Sequence, residues 1–208
     1  MQTAELALAG VLVFIPTPHH DDRGFFTRTF DNAVARHHGL RPELFVQDSQ
    51  SRSRYGTIRG LHGRGGRGEA KLIRCARGAV FDVLVDARPD SPTFGEHLSL
   101  TLDDTQFVHL YVPPGFLHGF QALTEETDIC YRIDREHDPS QDLSVRFDDP
   151  ALDIRWPLPV TAISEKDLGA GSWDDLAGLL SGGSHTPSSQ GSTPARIAAS
   201  NAAWSRSV

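Results

Sequence analysis

Along most of the chain, apolar residues either alternate with polar ones or gather in short runs, and Gly, Pro or Asp closes each run. This pattern predicts strands, because successive side chains on a strand point to opposite faces. The clearest are "AKLIRCA" (70–76), "AVFDVLVDAR" (79–88), "EHLSLTLD" (96–103), "FVHLYVP" (107–113) and "TDICYRID" (127–134). In the second, Phe81, Val83 and Val85 share one face, while Asp82, Leu84 and Asp86 share the other. Helical periodicity is confined to "DNAVARHHG" (31–39) and "WDDLAGLL" (173–180). The "ARG" at 76–78 predicts a hairpin turn between the first two strands, and "PPG" at 113–115 breaks the chain ahead of a histidine. Many short strands separated by turn signals predict an all-β sandwich or barrel with a few short helices.

The apolar pattern ends near residue 180. From there "SGGSHTPSSQGSTPARIAASNAAWSRSV" is small, polar and rich in Gly, Ser and Pro, so 181–208 is predicted to be a disordered tail on a domain of residues 1–180. The start, "MQTAELALAGVLVFIP", lacks the basic region of a signal peptide, and no apolar stretch reaches membrane-spanning length. A cytoplasmic protein is expected. Cys75 and Cys130 lie far apart in apolar runs without CxxC spacing, and are expected to be buried reduced thiols.

Charge changes the picture more. The chain carries −7 overall, yet residues 52–77 hold seven arginines, Lys71 and one acid, Glu69, a local balance of +7. An acidic protein with one focused basic segment suits a small anionic ligand better than nucleic acid, which would call for a spread basic face. Only two of the 20 basic residues are lysines, Lys71 and Lys166. A lysine kept where arginine is the rule suggests that a compact ammonium is wanted there.

The candidate chemistry lies in "RGLHGR" (His62), "AKLIR" (Lys71), "PPGFLHGF" (His118), "ICYRID" (Tyr131) and "SEKD" (Lys166, Asp167). A metal is disfavoured: no HxH or HExxH spacing occurs, and Arg64 stands where a second histidine ligand would. No GxSxG or Walker pattern is present, and "GRGGRG" lacks the Lys-Ser/Thr that would complete a phosphate loop. A histidine, a lysine, a tyrosine and an aspartate among arginines suit proton transfer at a carbon beside a ketone. Such a proton lies roughly a dozen pKa units above a histidine, a gap of about 16 kcal/mol, so the base needs help. A positioned cation must meet the developing enolate, and a second acid must deliver the proton if it arrives on the other face.

Read in order, the chain resembles the dTDP-4-dehydrorhamnose 3,5-epimerase family. The matching stretches are "DDRGFF" (21–26), "FVQDSQSRS" (45–53), "IRGLH" (58–62), "AKLIRCARGAVFDVLVDAR" (70–88), "SPTFGE" (91–96), "YVPPGFLHGF" (111–120), "CYRID" (130–134), "DDPALDIRWP" (148–157) and "SEKD" (164–167). The resemblance implies a cupin-like jelly-roll β-barrel without metal or cofactor, usually a homodimer. It further implies inversion of C3 and C5 of dTDP-4-keto-6-deoxyglucose through an enolate, in deoxysugar biosynthesis. On the same resemblance His62 is the proton-abstracting base, oriented and made more basic by Asp167. Lys71 stabilises the enolate oxygen, with His118 beside it, and Tyr131 delivers a proton from the opposite face. Arg23 and Arg59 bind the diphosphate or neighbouring sugar groups, while Gln47, Asp142 and Lys166 contact the nucleotide sugar.

The chain departs from the family's pattern at several positions. Gly63 and Arg64 stand where an aromatic and a glutamine often follow the histidine. Arg28 replaces a glutamate, Ser49 an asparagine, and His137 a tyrosine that commonly stacks on thymine. The catalytic positions are intact and the nucleotide-reading ones have changed. A single-site epimerase acting at C3 or C5 stays open on the same residues. So do a 3,4-ketoisomerase, which would not require Tyr131, and a non-catalytic sugar-nucleotide-binding barrel.

Overall fold

The computed structural model describes residues 1–182 and the short strand Arg196–Ala198; the rest of the predicted tail lies outside the described residues. In chain order the strands are β1 (Gln2–Glu5), β2 (Leu12–Ile15), β3 (His19–Asp21), β4 (Gly24–Phe26), β5 (Gln47–Arg54), β6 (Ile58–Arg64) and β7 (Lys71–Arg77). They continue with β8 (Ala79–Asp86), β9 (His97–Asp103), β10 (His109–Val112), β11 (Phe116–Ala122), β12 (Glu126–Ile133), β13 (Asp142–Ser144) and β14 (Arg196–Ala198). The helices α1 (Asn32–His37), α2 (Glu165–Leu168) and α3 (Trp173–Leu180) are short. The periodicity at 31–39 and 173–180 marks α1 and α3; α2 is too brief to leave a period.

Two six-stranded sheets face each other, in the orders β1-β2-β10-β7-β12-β5 and β13-β6-β11-β8-β9-β14, and a separate hairpin joins β3 to β4. Among the described residues, every pairing within the sheets is antiparallel except β14 on β9. This is the expected jelly-roll barrel. Between the sheets lies a core that includes Val13, Ile73, Leu84, Leu110, Phe120 and Ile129. The outer face of the second sheet is also covered, because Val83, Val85 and Leu117 pack against Leu152, Trp173 and Leu176 of the C-terminal segment. The alternation in β8 therefore holds, with Leu84 in the inter-sheet core and Val83 and Val85 outside it.

One turn differs from expectation. "ARG" at 76–78 is not a hairpin: β7 pairs with β10 and β12, whereas β8 pairs with β11 and β9. The turn carries the chain from one sheet to the other. Gly78 has φ +76 and lies so close to Thr124 and the Glu126 carbonyl that a Cβ would collide with both, which fixes the corner against the β11–β12 loop. Local turn chemistry is the same for either outcome, and the long-range partners decide. The two cysteines are free; Cys75 is buried, and burial pushes its thiol up to about 12, but Cys130 is only half-buried. Among the described residues no helix is long and apolar enough to cross a membrane.

Candidate active site

A cavity of about 660 Å³ opens between the sheets. The first sheet lines it with Lys71 from β7 and Tyr131 from β12, the second with Arg59, His62 and Arg64 from β6 and His118 from β11. Asp142, Lys166 and Asp167 close one side. Eight of the ten residues singled out in the sequence thus meet in one place. Arg23 and Gln47 do not: Gln47 opens β5 away from the cavity wall, and Arg23 projects from the β3–β4 hairpin with its side chain 90% exposed.

His62 Nε2 lies 2.7 Å from Asp167 Oδ1. Asp167 is buried, and its other oxygen accepts the backbone N–H of Gly60 at 3.3 Å. The carboxylate is set by α2, where the Ser164 side chain caps the helix by accepting the Asp167 N–H at 3.1 Å. Upstream, Ile58 N–H donates to the Ala162 carbonyl at 3.0 Å, and the Gln121 amide holds Leu158 through both of its groups. These ties bring a distant segment over β6. An imidazole that donates Nε2–H to a fixed carboxylate keeps Nδ1 free to accept a proton. The His62 side chain is 42% exposed, so it is open to the cavity.

A second pair stands beside the first. His118 is paired in register with His62 across β6 and β11, and its Nε2 lies 2.8 Å from Asp82 Oδ2. Here both partners are buried, and among the described residues Asp82 Oδ1 has no hydrogen-bond partner. Glycines permit the close strand approach: a Cβ on Gly60 would stand 2.5 Å from Gly119 Cα, and Gly60 has φ +124. A Cβ on Gly63 would meet the Phe116 carbonyl at 2.8 Å, so the absence of an aromatic there accompanies tight packing of β6 on β11.

From the opposite sheet, the Tyr131 ring meets the His118 ring edge-on at 6.1 Å. Burial, with the Asp82 charge adding to it, holds the Tyr131 phenol well above its ordinary range, so it carries its proton at neutral pH. Lys71 is nearly buried and its Nζ lies 3.1 Å from Glu69 Oε1. The Ala70 N–H donates to Asp134 at 2.8 Å, anchoring the start of that strand. Of the seven arginines in the basic segment, only Arg59 and Arg64 line this cavity. Arg59 donates to Ser53 Oγ and the Arg52 carbonyl, Arg52 pairs with Asp128, Arg77 with Glu126, and Arg74 lines a separate cavity. Most of the segment's arginines therefore lie outside the lining of this cavity.

Two groups that contact these side chains escape a reading of the sequence. Asp82 is detectable there only as an acid on the inward face of an apolar strand, and Glu69 only as the one acid in the basic run. Among the described residues, no three His, Cys, Asp or Glu side chains cluster to hold a metal. What the arrangement offers is a carboxylate-held histidine and a protonated tyrosine on opposite walls of one cavity, with an ammonium in the same lining.

Comparison with known proteins agrees with that chemistry. The sequence pattern of the family described as dTDP-4-dehydrorhamnose 3,5-epimerase matches residues 5–175. The chain is 39% identical over 164 residues to the dTDP-4-dehydrorhamnose 3,5-epimerase of Methanothermobacter thermautotrophicus, covering 77% of this chain and 88% of that protein. It is similar in structure to a 4-keto-6-deoxy sugar epimerase from the novobiocin biosynthetic gene cluster of Streptomyces spheroides. There the TM-score is 0.83 at 34% identity, over 87% of this chain and 92% of that one. A 3'-monoepimerase from Streptomyces bikiniensis, solved with dTDP-quinovose, matches with TM-score 0.76 at 27% identity, over 85% and 98% of the two chains.

Proposed function

The chain belongs to the dTDP-4-dehydrorhamnose 3,5-epimerase family, isomerases of dTDP-4-keto-6-deoxyhexoses in deoxysugar biosynthesis, and on that premise we propose how its own residues divide the work. His62 takes the proton from carbon through Nδ1, while Asp167 holds the tautomer by accepting Nε2–H. Lys71, with His118 beside it, stabilises the oxygen of the enolate that forms. Tyr131 returns a proton from the facing wall, and its configuration-inverting delivery is what makes the reaction an epimerisation. Arg59, Asp142 and Lys166 hold the nucleotide sugar at the rim. The observation that carries this reading is the 2.7 Å His62–Asp167 contact on one wall of a cavity whose other wall presents a protonated tyrosine.

A dTDP-sugar is the ligand we assign, in a cytoplasmic homodimer. Arg23 and Phe26 support the dimer: they stand exposed on the β3–β4 hairpin, away from the active-site cavity of their own chain. A second copy that received this hairpin at its cavity mouth would gain an arginine and an aromatic ring for the nucleotide. Strand β2, by contrast, pairs with β1 and β10 of its own chain. The likeness to a 3'-monoepimerase favours a second reading, inversion at C3 alone.

The test is incubation with dTDP-4-keto-6-deoxyglucose in heavy water, following deuterium at C3 and C5 by NMR. Label at both carbons with inversion, and label without inversion in Tyr131→Phe, supports the assignment. Label at C3 alone selects the second reading, and full inversion by Tyr131→Phe removes the tyrosine from the mechanism.

A further inference from the structure

Arg64 is a charged residue in the wall of an active site, and its environment is unusual for an arginine at the edge of a glycine-rich loop. Its side chain is only 7% exposed. Nε donates to Glu69 Oε2 at 2.7 Å, one terminal nitrogen donates to the Asp138 carbonyl at 2.8 Å, and the other lies 3.0 Å from His137 Nδ1. The second of these nitrogens is also 3.8 Å from Asp142 Oδ1. Glu69 is buried as well, and its other oxygen meets Lys71 Nζ at 3.1 Å. At the far end Asp142 pairs with Lys166 at 3.1 Å. The charges alternate along the wall as Lys71, Glu69, Arg64, Asp142 and Lys166.

We infer that Arg64 is a positioning residue for Lys71, acting through Glu69. The inference rests on Lys71 being the group that meets the enolate oxygen. A lysine paired alone with a buried glutamate makes a neutral couple, and the carboxylate's repulsion offsets most of what the ammonium offers to a developing oxyanion. Arg64 changes this. It occupies one carboxylate oxygen with a charge-assisted bond, leaving a trio with a net positive charge in a partly dehydrated wall where such charges act strongly. It also fixes the Glu69 carboxylate in place through the Asp138 carbonyl and His137. The ammonium therefore has one fixed anchor and keeps its remaining donors for the substrate. His137 is bound to the same guanidinium, so one residue links the wall that steadies the enolate to a position that reads the nucleotide.

The test is a double-mutant cycle with Arg64→Gln, Glu69→Gln and the two combined, assayed for epimerisation of dTDP-4-keto-6-deoxyglucose, with Lys71→Met as the reference and thermal unfolding as a control. Arg64→Gln, which strands the carboxylate on Lys71, is expected to lower kcat about tenfold or more, the scale of one lost charged hydrogen bond. Adding Glu69→Gln removes the stranded charge and is expected to restore kcat to within about threefold of wild type, the non-additivity that neighbours in one network show. A rise in KM from freeing His137 would persist in the double variant, so the two effects separate. If Arg64→Gln leaves kcat unchanged, or if the double variant is no better than the single, while Lys71→Met is inactive, the positioning role is wrong and the lysine reading stands. If Lys71→Met stays active, the lysine reading fails and takes the inference with it. Should Arg64→Gln not fold, Arg64→Lys decides: kcat within about threefold of wild type supports the role, since the charge pairing is kept, and a fall to the Lys71→Met level contradicts it.

Discussion

Two histidine–aspartate pairs sit side by side on neighbouring strands, His62 with Asp167 and His118 with Asp82, and they differ in almost everything but chemistry. The first joins a strand to a helix 105 residues away and leaves its histidine 42% exposed. The second lies within one sheet, with both side chains buried. Asp167 has both oxygens engaged, by His62 and by Gly60 N–H, whereas Asp82 has one oxygen without a partner among the described residues. On the mechanism proposed above, exposure and the state of the second oxygen, rather than the presence of a dyad, distinguish the base that exchanges protons with substrate from a histidine held as a fixed part of the wall. A third histidine extends the contrast. His109 is as buried as His118 but its neighbours are cations, and burial first, then Arg74, drive it down to about 3.

The largest effect that would break the comparison is on His62. His62→Asn is expected to lower kcat/KM by roughly 10³- to 10⁴-fold, the upper part of what a positioned general base contributes. Steady-state assay on dTDP-4-keto-6-deoxyglucose checks it. A sharper contrast comes from the two aspartates. In Asp167→Asn the amide must turn its NH₂ either to the Gly60 N–H or to His62 Nε2, so a donor faces a donor or the histidine tautomer reverses. The expected loss in kcat is about 10²-fold or more, as for other histidines deprived of their orienting carboxylate. Asp82→Asn can keep its oxygen on His118 and place the NH₂ where Oδ1 already lacks a partner. Its expected loss is about tenfold or less, a difference no greater than one hydrogen bond. Equal losses in the two variants would erase the distinction.

The smallest effect is on stability alone. In the unfolded chain His109 titrates near 6.5, and in the folded protein it takes up a proton only near pH 3. Between those values the unfolded chain binds the extra proton, so stability falls as pH falls. From pH 7 to 5 this amounts to about 2 kcal/mol, and His109→Gln should flatten that part of the urea-unfolding profile. An unchanged slope would mean that His109 takes up its proton at the same pH in the folded and the unfolded chain, which contradicts the burial effect.

How much of this can be read from the chain depends on the reach of each signal. The alternation in β8 and β12 and the helical period at 173–180 are local, and the strands and α3 follow them. The turn at 76–78 misleads, since whether β8 returns beside β7 or crosses to the other sheet is settled by partners a dozen or more residues away. His62, Lys71, His118 and Tyr131 are legible as reactive types in turn-flanked strands. Asp82 is visible only as an inward acid without a known partner, and Glu69 is lost among arginines whose charge dominates the segment. Arg64 is legible as a departure but not as a buried residue, because burial of an arginine beside a loop depends on Glu69, His137 and Asp138 arriving from elsewhere.

The most direct test of the central claim is deuterium wash-in at C3 and C5 of dTDP-4-keto-6-deoxyglucose by His62→Asn and His118→Asn, run side by side with NMR detection. If the exposed pair supplies the base and the buried pair the wall, His62→Asn incorporates no label at either carbon, while His118→Asn incorporates it slowly at the same carbons as wild type. Label retained in His62→Asn and lost in His118→Asn would contradict the account and make the buried histidine the base.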